Sequence, residues 1–253
     1  MGERTSYAPG VFCWTDLGTT DAPGAVAFYS GLFGWEPVEM PGGGGYTLMR
    51  LGGADVCGVY GLPDGARTMP AWTSYVAVED AAATVAAAVA LGAGVARDTL
   101  EVMGLGRSAA VTDPQGALLG LWEAGSFIGA GRVNDVGTMV LNQLNTSDPD
   151  AAAAFYSELF GWEVTQVQSQ PAPYWGITAG GHLNGGMMGL APPAPPNWLV
   201  YFTSEDLDGS DALIVDLGGA VVVPPMAIQD GRILVARDPQ YGFFALYEGE
   251  VDP

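Results

Sequence analysis

The stretch Phe28-Tyr29-Ser30-Gly31-Leu32-Phe33-Gly34-Trp35-Glu36 returns as Phe155-Tyr156-Ser157-Glu158-Leu159-Phe160-Gly161-Trp162-Glu163, 127 positions later (155 − 28 = 127), with one change. A match of this kind at half the chain length marks a duplicated module. Each copy reads as an amphipathic helix that ends and runs into a strand. Phe28 and Leu32, like Tyr29 and Phe33, stand four apart and share a helical face. The glycine after the second Phe suits a left-handed helix stop, and the Trp-Glu that follows opens an extended segment. Asp21 and Asp148 are N-cap residues upstream, and Pro149 fits a first helical turn. Trp35 and Trp162 are expected in the core.

Working outward, a strand over Val11–Leu17 precedes a helix over Asp21–Phe33, and strands follow at Glu36–Met40, Tyr46–Leu51 and Asp55–Tyr60. The order then repeats: strand Thr73–Val78, helix Asp80–Leu91, strands Val95–Val102, Arg107–Thr112 and Ala117–Trp122. The pattern restarts at Thr138. Trp72 matches Trp198, Glu79-Asp80 matches Glu205-Asp206, and Asp113-Pro114-Gln115 matches Asp238-Pro239-Gln240. The fold class is therefore α+β, with four βαβββ units forming two tandem cups. The expected domains are residues 1–124 and 136–253, joined by a glycine-containing linker at 125–135.

The chain has 253 residues and a net charge of −20, with eight arginines and no lysine. Nucleic acid is excluded as a partner, because phosphate neutralisation needs clustered Lys and Arg. No apolar run reaches the roughly 18 residues of a bilayer span, and no signal-peptide pattern opens the chain. The expectation is a cytoplasmic protein without membrane association. Cys13 and Cys57 fall in expected strands and form neither a disulfide framework nor a zinc pattern.

The Phe-Tyr-x-x-Leu-Phe-Gly-Trp block and the Asp-Pro-x-Gly strand turn, both in tandem, resemble the vicinal-oxygen-chelate superfamily of glyoxalase I, bleomycin-resistance proteins and extradiol dioxygenases. The closest resemblance is to actinobacterial tandem proteins often labelled hydroxylases, some from antibiotic pathways, including an accessory protein of anthracycline hydroxylation. In the family pattern a divalent metal is held by strand residues seven before each helix-opening Asp and by a Glu after the Asp-Pro-x-Gly turn. Carried over, these positions are Trp14, Thr73 and Gly120 in one half. In the other they are Leu141, Leu199 and Ala245, the last allowing for Tyr241 as an extra residue. None is a usual metal ligand. His182, the single histidine, falls in the expected hairpin turn Gly180-Gly181-His182. The expectation is no metal, and the glycine runs lack phosphate-loop spacing, so no cofactor is expected either.

What remains is two aromatic cups. Alternation along the strands places Phe12, Trp14 and Asp16 on one face of the first strand, opposite Thr73, Tyr75, Leu118, Gly120 and Trp122. The second cup would show Met139, Leu141, Gln143, Leu199, Tyr201, Phe243, Ala245 and Tyr247. Glu123 and Glu248 fall on the opposite face, where edge solvation is expected. The candidate ligand-binding residues are Trp14, Asp16, Thr73, Tyr75, Trp122, Gln143, Tyr201 and Tyr247, for a planar aromatic or polyketide-like molecule. Two functions compete: a metal-free binding protein that protects or carries such a molecule, and a metal-independent accessory hydroxylase or cyclase using Asp16 or a tyrosine as acid or base. A third class is an interaction module with its cups filled by side chains. The chain is expected to be a monomer that is internally a pseudo-dimer, or a homodimer.

Overall fold

The computed structural model describes residues 2–63, 65, 69–168, 172–191 and 193–251. The first unit is β1 (Phe12–Thr19), α1 (Ala22–Phe33), β2 (Glu36–Glu39), β3 (Thr47–Leu51) and β4 (Ala54–Gly61). The second is β5 (Ala71–Ala77), α2 (Ala81–Ala90), β6 (Gly94–Val102), β7 (Gly106–Thr112) and β8 (Leu118–Ala124). The third is β9 (Met139–Thr146), α3 (Pro149–Phe160), β10 (Glu163–Gln168), β11 (Tyr174–Ala179) and β12 (His182–Gly189). The fourth is β13 (Asn197–Thr203), α4 (Leu207–Asp216), β14 (Ala220–Ile228), β15 (Gly231–Arg237) and β16 (Phe243–Gly249). None of these helices is long and apolar enough to cross a membrane.

Each half makes its own eight-stranded sheet, in the order β2-β3-β4-β1-β5-β8-β7-β6 and its counterpart β10-β11-β12-β9-β13-β16-β15-β14. The central β1 pairs parallel with β4 and antiparallel with β5, which pairs parallel with β8. The helices start and stop for local reasons. Asp21, Asp80, Asp148 and Asp206 each accept a hydrogen bond from a first-turn amide. Gly34 and Gly161 close α1 and α3 at φ 72° and 70°, a conformation that a side chain would oppose. Glu123 and Glu248 are not left to solvent. Each carboxylate accepts from the first amide of a helix, Ala81 N at 2.9 Å and Leu207 N at 2.9 Å, so they cap α2 and α4.

Two readings of the strands are corrected. A register shift between Phe12 and Trp14 turns Phe12 out of its cup, and its ring packs on Trp162 and Trp198 of the other half. Met139 follows the same pattern: the shift in β9–β13 pairing places it in the shared core and not in the second cup. Tyr241 is not an extra residue. It takes the place of Gly116 and adopts the same left-handed turn, φ 74° against 105°, with the Arg237 guanidinium 4.0 Å from its ring centre.

The repeated block joins the halves, and does so reciprocally. Tyr29 of α1 donates to Asp238 Oδ2 at 3.0 Å, and Tyr156 of α3 donates to Asp113 Oδ2 at 3.0 Å. The other oxygen of each aspartate accepts the amides of its own strand turn, Gln115, Gly116 and Ala117 in one case and Gln240 and Gly242 in the other. Trp72 Nε1 donates to Tyr29 and Trp198 Nε1 to Tyr156, both at 3.0 Å. Trp35 Nε1 donates to Gly137 O and Trp162 Nε1 to Gly10 O, both at 2.7 Å. Positions 10 and 137 are also 127 apart, so an internal two-fold relation governs the contact. The tryptophans are core residues, as expected, but of the core shared by both halves.

Replacing either tyrosine by phenylalanine leaves a buried aspartate oxygen without its donor. Tyr29→Phe and Tyr156→Phe are each expected to lower unfolding stability by about 1–3 kcal/mol, with similar values for the two. Urea unfolding checks this, and losses below about 0.5 kcal/mol in both would show that the paired bonds are not what ties the halves.

Candidate functional site in the N-terminal cup

The inner face of the first sheet encloses a cavity of about 200 Å³ that opens to the surface. Its walls come from several places in the chain, Ser108 of β7 and Phe127 after β8 among them. β1 supplies Trp14 and Asp16, β5 Tyr75, β8 Trp122, the β2–β3 hairpin Met40 and Tyr46, and β6 with its following turn Arg97, Leu100, Met103 and Leu105. The glycines fit the ring positions. A Cβ at Gly120 would strike the Tyr75 ring, and one at Gly58 the Tyr46 ring, so each bare backbone lets a phenol lie flat across the sheet.

A continuous hydrogen-bonded chain crosses the floor. Trp14 Nε1 donates to Tyr46 at 3.0 Å, and Tyr46 donates to Asp16 Oδ2 at 3.1 Å. Tyr75 donates to the same carboxylate at 3.1 Å and accepts from Arg97 Nη2 at 3.3 Å. Arg97 Nη2 also donates to Ser108 Oγ at 2.7 Å, while its Nε is buried with no protein acceptor. Asp16 is only 5% exposed. Burial pushes its carboxyl up to about 6, against the opposing pull of Arg97 and the two phenols. Burial raises the Tyr46 and Tyr75 hydroxyls as well, so both remain protonated donors at neutral pH.

Four of the sequence-derived candidates meet here: Trp14, Asp16, Tyr75 and Trp122 line the cavity. Thr73 stands opposite Asp16 in the β1–β5 register but is not part of the wall. Phe127 was not foreseen. It lies in the stretch read as a linker, yet its carbonyl accepts from Trp122 Nε1 at 2.9 Å and its ring meets Trp14 edge-on at 5.0 Å. Tyr46 and Arg97 were also missed. Tyr46 follows a glycine run, which draws attention to the turn, and Arg97 lies in a strand whose inward face alternation alone leaves ambiguous.

The second cup is built differently. Gln143, Tyr174 and Tyr201 stand where Asp16, Tyr46 and Tyr75 stand in the first. The register also places Val223 at the position of Arg97: Arg97 faces Ala110 and Val223 faces Val235 on the neighbouring strand. Tyr201 donates to Gln143 Oε1 at 3.0 Å, and Gln143 donates to Asn145 at 2.8 Å. Leu199, Tyr201 and Ala245, with Leu141, Ile233 and Val235, make an apolar cluster of their own inside this cup. The Tyr247 ring packs on that cluster, but its hydroxyl turns to the rim and donates to the carbonyl of Asp230 or Glu250.

The family's metal positions do not fit a divalent ion. Trp14 and Thr73 offer no ligand that such ions favour, and the Tyr75 ring covers Gly120. Among the described residues no cluster of three His, Cys, Asp or Glu side chains could hold a metal.

The raised Asp16 value makes stability depend on pH. An unfolded aspartate titrates near about 3.9, so between about pH 4 and 6 the folded protein holds a proton the unfolded chain has released. Wild-type stability therefore falls as pH rises through that window and levels above it. Asp16→Asn lacks this loss. Its unfolding free energy relative to wild type is expected to improve by up to about 3 kcal/mol from pH 4 to pH 7. Denaturant titrations across that range check the change, and a pH-independent difference would reject it.

Comparison with known proteins agrees with this architecture. Residues 12–121 match the Glyoxalase/Bleomycin resistance protein/Dioxygenase superfamily, and residues 139–246 match the Glyoxalase-like domain. Putative glyoxylase CFP32 of Mycobacterium tuberculosis is 37% identical over 254 residues, covering 97% of each chain. Anthracycline biosynthesis protein DnrV of Streptomyces peucetius is 33% identical, covering 96% of this chain and 95% of its own. Among solved structures, the Mn(II)-bound glyoxalase from Novosphingobium aromaticivorans superposes with a TM-score of 0.69 at 15% identity, over 100% of this chain and 84% of that one. A homoprotocatechuate 2,3-dioxygenase variant from B. fuscum, in complex with HPCA, gives 0.68 at 16%, over 99% and 75%. At such identities these two structures speak for the fold. With both halves matched and full-length relatives above 30%, the chain belongs to the glyoxalase/bleomycin resistance/dioxygenase superfamily, as two tandem domains.

Proposed function

We propose that the N-terminal cup binds one small aromatic molecule per chain, without a metal ion, and that this binding serves an accessory or self-protective step in aromatic polyketide biosynthesis. The observation that carries the reading is the difference between the cups. The first has a cavity walled by Trp14, Trp122 and Phe127 over a buried polar floor with a carboxylate, whereas in the second Leu199, Tyr201 and Ala245 cluster with Leu141, Ile233 and Val235 and no carboxylate takes the place of Asp16. Aromatic walls with few polar groups favour flat ring systems. The volume, about 200 Å³, exceeds the roughly 150 Å³ cavity that holds one benzene ring, so one or two fused rings fit inside and a larger system would protrude past Met40 and Met103. The relatives named for anthracycline biosynthesis support the setting.

A second reading keeps the same site and adds chemistry. A buried carboxyl held at about 6 between two phenols is poised for proton exchange near neutral pH. Incubation with a bound aromatic compound separates the two: a binding protein changes only its absorbance, an enzyme its mass.

Trp14→Ala is expected to weaken binding of planar aromatic compounds about tenfold or more. Leu105→Trp, which enlarges a side chain of the cavity wall, is expected to abolish it. Titration followed by tryptophan fluorescence, with melting curves as a fold control, tests both. Unchanged affinity in two folded variants would move the site elsewhere. Elemental analysis after dialysis is expected to show no stoichiometric Zn, Fe, Mn or Ni, and about one such ion per chain would overturn the metal-free reading.

A further inference from the structure

The floor of the cup described above has its hydrogens committed and its lone pairs left over. Trp14 Nε1 donates to Tyr46, the Tyr46 and Tyr75 hydroxyls to Asp16, and Trp122 Nε1 to the Phe127 carbonyl. The phenols converge on Asp16 without filling it. Its Oδ2 accepts from both, at 3.1 Å each, while Oδ1 has only a second contact of 3.3 Å with Tyr75. A carboxylate can accept about four hydrogen bonds. The Asp16 backbone is held within the sheet between Gly58 of β4 and Thr73 of β5, so the part of this residue that meets the cavity is its side chain. The duplicated half shows that the fold has no need of the charge. Gln143 stands at this position there, accepts from Tyr201 at 3.0 Å and donates to Asn145 at 2.8 Å. A buried carboxylate lowers stability unless its hydrogen bonds are complete, and the cavity is where a further donor can enter.

Charge limits what that donor can be. The Arg97 guanidinium is joined to Asp16 through Tyr75 and already offsets the carboxylate. A cation entering the cup would meet Arg97 and lose its own hydration, and an anion would meet the carboxylate. An uncharged hydroxyl avoids both penalties. Resting on the aromatic-binding reading, we propose that Asp16 is a specificity-determining residue: its carboxylate accepts the hydroxyl of a ring-hydroxylated aromatic ligand, of the phenol or naphthol class, whose body lies against Trp14 and Trp122. An aromatic ether of similar shape fits the walls but brings no hydrogen to the carboxylate.

Two probes isolate the donor: 1-naphthol, and 1-methoxynaphthalene, which keeps the oxygen and lacks the hydrogen. Both are titrated calorimetrically against wild type and Asp16→Asn. In wild type at pH 7.5, naphthol is expected to bind about tenfold more tightly, the advantage of one hydrogen bond to a charged acceptor. In Asp16→Asn the ratio of the two affinities should fall to about threefold or less, since a neutral amide is the weaker acceptor. A readout in the wild type alone is pH. The charged and titratable groups around Asp16 are Tyr46 of the β2–β3 hairpin, Tyr60 and Cys57 of β4, Tyr75 of β5 and Arg97 of β6. Burial raises the three phenols and the thiol, and the guanidinium stays charged, so none of them titrates between pH 5 and 7.5. Protonation of Asp16 at pH 5 leaves a neutral acceptor, so the naphthol preference should shrink there to about threefold or less. Naphthol binding at pH 6 should release protons, because it favours the ionised carboxyl. Equal binding of the two probes in wild type overturns the proposal and leaves aromatic binding standing. So does a naphthol preference that survives Asp16→Asn, or one unchanged between pH 5 and 7.5. Binding of neither probe overturns both.

Discussion

The structure depends on one reciprocal contact: a buried tyrosine of each half donates to the turn aspartate of the other. Each aspartate has its second oxygen committed to backbone amides of its own strand turn, so the phenol finds an acceptor that is already rigid. Each tyrosine in turn accepts from a tryptophan of the adjacent central strand of its own half, β5 or β13. This arrangement fixes where α1 and α3 lie, and with them the outer faces of both sheets. In a low-dielectric interior such linked bonds reinforce one another, and leaving one unmade is costly. The repeated block can vary little while both contacts are kept, because each copy serves the half it does not belong to.

With the outer faces tied down in this way, the inner faces are released from the symmetry. The first cup keeps a cavity and the buried Asp16 carboxylate, joined through a phenol to the half-buried Arg97 guanidinium. The second keeps the phenol but places Gln143 and Val223 at the charged positions and surrounds Tyr201 with aliphatic side chains. Duplication thus leaves the two inner faces free to differ, one around a carboxylate and the other around a neutral amide. Buried charges lower stability unless they are paired and hydrogen-bonded, and here the partners come from separate strands and from the β2–β3 hairpin.

Much of this was legible in the chain. The helix caps Asp21, Asp80, Asp148 and Asp206, the glycine stops, and the strand order follow from local chemistry, and every expected element of the first half lies within two residues of its observed bounds. The resemblance carried by the Phe-Tyr block and the Asp-Pro turn pointed to the superfamily that the domain matches show. Trp14, Asp16, Tyr75 and Trp122 could be placed on one face because a strand alternates with a period of two. That same rule failed at Phe12 and Met139, where a shift in strand pairing inserts a residue and reverses the face.

What only the tertiary structure decided are contacts between residues far apart in the chain. No periodicity announces that Phe127, in a stretch that reads as a linker, folds back between Trp14 and Trp122. None joins Arg97 to Asp16 through Tyr75, 22 residues away from Arg97 and 59 from Asp16. Nor does local pattern reveal that Glu123 and Glu248 cap helices. Sequence determined the repeat, the units and the inward faces of the regularly paired strands, since these rest on spacing and on each residue's own backbone preference. The fold alone decided how the first cup encloses its cavity, because that turns on how side chains from separate strands share one volume.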